Sequence, residues 1–210
     1  MFITNIHTLL SLAFSHDFTG SEIAKHKDTD NAMTNGESWL SDGAITGYFA
    51  MLQLIDSYLQ SIQPQPSNRH RSLFINSIQF DVLIESINSR NWEKVKTFWK
   101  KQLDKQSPPP LSIFDMDKIF IAENVNNSHW TMTVIFFKHK SIVYYDSFND
   151  KPNDSNPNPL LDMLENMDSS NEQKQFDRKE WRFTLATCVQ QSKKKVIFLL
   201  FFEYSSYYSE

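Results

Sequence analysis

After Gly47 the chain contains no glycine; its four are Gly20, Gly36, Gly43 and Gly47. Glycine lets backbone approach a phosphate closely or turn with positive φ, so its absence removes whole classes of site at once. A dinucleotide fingerprint needs three spaced glycines, a P-loop needs two ahead of Lys-Ser/Thr, and a serine nucleophile elbow needs two around its serine. None of these patterns occurs here.

The single cysteine, Cys188, excludes an intrachain disulfide and any two-cysteine zinc motif. Such a chain suits a reducing compartment, and nucleus or cytoplasm is expected. A net charge of -4 gives no electrostatic reason to bind phosphate backbones, so nucleic acid is not an expected partner. No cofactor or metal is implied. The apolar "IHTLLSLAF" near the start lacks a basic lead-in and a small-residue cleavage site, and does not read as a signal peptide. "VIFLLFF", residues 196–202, falls far short of the roughly 20 residues that span a bilayer. It reads as part of a buried helix over 196–204, and no membrane association is expected.

With 210 residues, 40% of them hydrophobic, the chain can bury a core. Residues 1–36, polar over "GSEIAKHKDTDNAMTNG", read as a loosely ordered N-terminal arm, and 37–210 as the domain. Ser41 and Asp42 can cap a helix whose buried face carries Ile45, Tyr48, Phe49, Leu52, Ile55 and Leu59. "QPQPSNRHR" stops it. Short helices follow around 79–87 and 91–102, the second aligning Trp92, Val95 and Trp99. Strand-like runs occupy 118–125, 129–137 and 141–146, with "KHK" as a hairpin connection between the last two. A loop, "SFNDKPNDSNPNP", precedes the short amphipathic helix "LLDMLENM", and "WRFTLATC" (181–188) reads as a fourth strand. Helices and strands come in blocks, which predicts an α+β fold and not a doubly wound parallel sheet.

His129 opens one strand-like run and Asp146 closes the next. Across an antiparallel hairpin the carboxylate can accept the imidazole N–H, which fixes the tautomer and leaves the other ring nitrogen to act as base. The same pair also reads as a rim histidine and a turn aspartate with no shared role.

Four separated segments decide between these readings, because together they resemble the ubiquitin-like-protein-specific cysteine proteases, the SUMO-deconjugating family. The family's Trp-Leu-x-Asp has its counterpart in "SWLSDGAITGYFAML", with Trp39, Leu40 and Asp42. "EKVKTFWKK" matches a Trp-containing helix, and "IFDMDKIFIAENVNNSHWTMTVI" followed by "SIVYYDSF" places His129, Trp130 and Asp146 at the family's spacing. The resemblance, over about 37–191, implies a papain-like cysteine protease fold with a central antiparallel or mixed sheet and helices packed around it. It further implies His129 as base, Asp146 as its orienter and Gln191 as an oxyanion donor. Trp39 and Trp130, with Asp42, match the positions that hold the modifier's tail. SUMO or another ubiquitin-like modifier is then the partner. Flat aromatic walls select a Gly-Gly tail by excluding every strand with side chains. Trp92, Trp99 and Trp181 read as core.

The resemblance breaks at the nucleophile. The family continues Gln-Gln-x-Asn-x-x-Asp-Cys-Gly; here Gln190 and Gln191 match, but six positions after Gln191 stands Ile197, flanked by Val196 and Phe198. Shortening the loop by two residues brings Lys195 to that place instead. Neither supplies the easily deprotonated thiol that the acyl-enzyme step needs. Three readings account for the loss. The chain is a pseudoprotease that binds a modifier without cleaving it; or its last stretch is wrong or truncated at an exon boundary, leaving the domain incomplete at its C-terminus; or Cys188 has taken over, which requires the chain after the fourth strand to shift. A fourth view treats the constellation as inherited core with no modifier bound.

Overall fold

The computed structural model describes residues 42–62, 71–127, 129–146, 157–168 and 176–186. The expectations for residues 1–36, Trp39, Cys188, Gln190, Gln191 and 196–204 lie outside these residues. In chain order the elements are α1 (Asp42–Ile62), β1 (Ser72–Ile75), α2 (Ser77–Asn88), α3 (Trp92–Leu103), β2 (Lys118–Val125), β3 (His129–Phe136), β4 (Ser141–Tyr145), α4 (Asn158–Asp168) and β5 (Arg182–Ala186). Single 3-10 turns sit at Ile113–Asp115 and Arg178–Glu180. The fold is α+β, as expected. Among the described residues it has one strand more than the sequence suggested: β1, the wholly buried "SLFI".

The five strands lie side by side in chain order. β2 runs antiparallel to β3 and β3 to β4, while β1 pairs with β2 and β4 with β5 in parallel. Four strands therefore point one way and β3 alone runs back. Each parallel pair is joined by a helical crossover, and right-handed crossovers taken in the same direction put their helices on the same face. That is where α2, α3 and α4 lie. Their Phe80, Leu83, Ile87, Val95, Trp99, Leu160, Met163 and Leu164 form one core with Leu73, Ile75, Ile119, Ile121, Ile135 and Ile142 of the sheet. Strand residues alternate between faces. The other set, Phe74, Ala122 and Trp130, packs under Ile45, Phe49 and Leu52 of α1. Phe74 and Phe120 stack there with centroids 5.0 Å apart. Buried Asp56 fastens α1 to β1 by accepting the Ser72 N–H at 3.2 Å.

The absence of glycine has a visible consequence. Positive φ falls on Arg90 (55°), Asn126 (53°), Asn127 (53°) and Lys140 (48°). Asparagine tolerates this region by local hydrogen bonding, so Asn126 and Asn127 suit the β2–β3 turn. Arg90 has no such help. It closes α2 in a Schellman motif, with Arg90 N–H donating to Ile87 and Asn91 N–H to Ser86, both at 2.9 Å. Glycine relieves the steric penalty of that position. Arg90→Gly is thus expected to raise unfolding free energy by about 0.5–1 kcal/mol in urea titrations; a loss of stability would show that the Arg90 side chain offsets its backbone strain.

Candidate active site

β3 begins where β2, β4 and β5 end, so His129 stands at the edge of the sheet where the parallel strands finish. Ligands commonly meet open sheets at that edge. The β3–β4 pairing ends at Met132 and Tyr145, and continuing its register one step sets Thr131 against Asp146. His129 is two residues from Thr131, on the same face and diagonal to Asp146. The two side chains meet: His129 Nε2 lies 2.7 Å from Asp146 Oδ1. Their side chains are only 13% and 10% exposed, so the contact is largely shielded from water. In the neutral imidazole this contact makes Nε2–H the donor to the carboxylate and assigns the lone pair to Nδ1. The arrangement can accept and return a proton at Nδ1, with Asp146 stabilising the imidazolium that forms.

Trp130, the next residue, faces the other way. It is 5% exposed and packs with Ile45, Phe49, Leu52, Phe74 and Ala122, close to half-buried Tyr48, whose phenol burial pushes well above its usual pKa. Its packing role is plain; a role on the modifier's tail is carried by the resemblance alone. Asp42 opens α1, and its Oδ1 accepts the Ser77 hydroxyl at 2.6 Å, which joins the start of α1 to the start of α2. Of the expected site residues, the structure thus brings His129 and Asp146 together, and places Trp130 and Asp42 around α1. Trp99 is fully buried, with Trp92 and Trp181 packed against the same core, as expected of them. Thr131 was not singled out by sequence, although period-two alternation from His129 marks it as the next residue on that face.

Among the described residues no cluster of His, Cys, Asp or Glu could hold a metal ion, and no helix is long and apolar enough to cross a membrane. The model of the Ulp1 protease family, C-terminal catalytic domain, matches residues 48–195. Ubiquitin-like-specific protease 1 of Saccharomyces cerevisiae is 41% identical over 64 residues, which is 30% of this chain and 8% of that protein. Two solved structures share the fold. The C-terminal Ulp1 protease domain in complex with Smt3, the yeast ortholog of SUMO, is 24% identical, with TM-score 0.50 over 74% of this chain and 59% of that one. A de-sumoylating protease is 18% identical, with TM-score 0.53 over 74% and 56% respectively. This chain therefore spans less than two thirds of the length of each of these three relatives. The family model's match to residues 48–195, most of the chain, shows that the protein belongs to the Ulp1 protease family.

Proposed function

We propose that residues 37–210 form a thiol-peptidase-type domain directed at SUMO or a related ubiquitin-like modifier, with hydrolysis compromised because no cysteine occupies the nucleophile position. The observation that carries this is the His129–Asp146 contact at 2.7 Å in a chain of this family. A thiol peptidase of this kind needs a thiolate to attack the glycyl carbonyl, an imidazole to take the thiol proton and pass it to the leaving amine, and a donor for the oxyanion. This chain supplies the imidazole of His129, the carboxylate of Asp146 and, by resemblance, the amide of Gln191. Trp39, Asp42 and Trp130 are the residues proposed to hold the tail. Carried to its limit, the same reading is a binding module without turnover, working in the nucleus or cytoplasm.

Calorimetric titration with mature SUMO and with SUMO lacking its terminal Gly-Gly tests the recognition half. Tail-dependent recognition predicts at least about tenfold weaker binding without the tail, equivalent to about 1.4 kcal/mol. Equal affinities, or no binding to either, would remove the modifier from the account. Trp130→Ala is a poor substitute for this test, because it also opens the packing under α1.

A further inference from the structure

A polar row crosses the end of the sheet on the face that carries His129. Glu123 of β2 stands opposite Thr131 of β3, and continuing the β3–β4 register puts Thr131 opposite Asp146. His129 is diagonal to both carboxylates. Thr131 is 2% exposed, and its Oγ1 is buried with no hydrogen-bond partner among the described residues. A polar group left in that condition costs about 1–3 kcal/mol. Opposite residues in an antiparallel pair have β-carbons about 4.5–5.5 Å apart, which a single χ1 rotation can close to hydrogen-bond length. A carboxylate offers several lone-pair positions, so accepting from His129 leaves Asp146 able to accept again.

We propose that Thr131 is a positioning residue for the His129–Asp146 pair: a turn about χ1 from the rotamer seen in the structure lets its hydroxyl donate to the Asp146 carboxylate and hold the plane that receives Nε2–H. Two carboxylates flank Thr131, and Asp146 is the one chosen because it is buried, whereas Glu123 is only half-buried. A hydrogen bond gains most where water competes least. The inference deepens the reading of His129 as the proton-transfer group. Its test observes the imidazole directly and is independent of whether a modifier binds.

The experiment is NMR of the full chain with 15N-labelled histidine, unaltered and as Thr131→Val and Thr131→Ser. Valine keeps the shape and removes the donor; serine keeps the donor and removes the methyl. The unaltered chain is expected to hold neutral His129 as the Nε2–H tautomer with slow proton exchange. In Thr131→Val that exchange should become about tenfold faster, the size expected for losing a hydrogen bond to a charged group, with ring shifts moving toward a tautomer mixture. Thr131→Ser should stay within about twofold of the unaltered rate. A packing role would leave the valine variant unchanged. Unchanged exchange in Thr131→Val, or equally fast exchange in Thr131→Ser, overturns the proposal. Should the valine variant fail to fold, the unaltered chain still decides: a carboxylate-held Thr131 hydroxyl proton gives a resolved signal, and its absence refutes the bond.

Discussion

Mixed with a SUMO precursor or conjugate, this chain is expected to release modifier at least about 10⁴-fold more slowly than a relative with a thiol at the nucleophile position, given what removal of a nucleophile costs in other proteases. The His129–Asp146 pair is built and shielded, so the loss would not come from the proton-transfer side. On the proposed reading it would come from Ile197 or Lys195 standing where the family carries its cysteine. Isoleucine has no nucleophilic atom, and a lysine ammonium must first lose a proton that it holds far more tightly than a thiol does. His129 alone can at best activate water, which forgoes the covalent intermediate. Gel-based cleavage over a day would check this. Turnover within about 100-fold of an active relative would mean another nucleophile operates, a margin too small for loss of the attacking group.

The largest expected effect on stability is from Trp99→Ala. Trp99 is fully buried at the junction of α3, α4 and the sheet, with its Nε1–H pointing at Met163 Sδ, 3.2 Å away, and its ring meeting Phe98 edge-on at 5.2 Å. Truncation leaves a cavity among residues that several elements hold in place. The cost should be about 3–5 kcal/mol, read as a lower urea midpoint with an unchanged slope. A cost below about 1.5 kcal/mol, the range of volume-conserving swaps, would mean that the core collapses around the site.

Much of this architecture is legible in the residues, for physical reasons that differ by element. β2 and β4 follow their apolar runs closely because both are rich in β-branched and aromatic residues and are bounded by polar stretches. β1 escapes because four successive buried residues carry no alternation, and a short parallel strand reads like any apolar stretch. The parallel pairing of β4 with β5 is equally silent, since pairing depends on where α4 returns the chain. At the site, His129 and Asp146 stand out because imidazole and carboxylate at two strand ends have a geometric reason to meet. Thr131 does not, because threonine within a strand needs no reason beyond β-propensity. Its proposed role emerges only once the β3–β4 register is continued one step past Met132 and Tyr145. The same period of two sends Trp130 to the face opposite His129, under α1.

This domain is proposed to recognise a modifier's tail with the His129–Asp146 pair intact and no working thiol. The most direct measurement is incubation of the purified chain with SUMO bearing a thiol-reactive electrophile in place of its terminal glycine carboxylate, beside a Cys188→Ser variant, followed by intact-mass analysis. The account predicts no covalent adduct in either protein, with noncovalent binding retained in both. An adduct that forms on the unaltered chain and disappears in Cys188→Ser would contradict it, because Cys188 would then be the nucleophile.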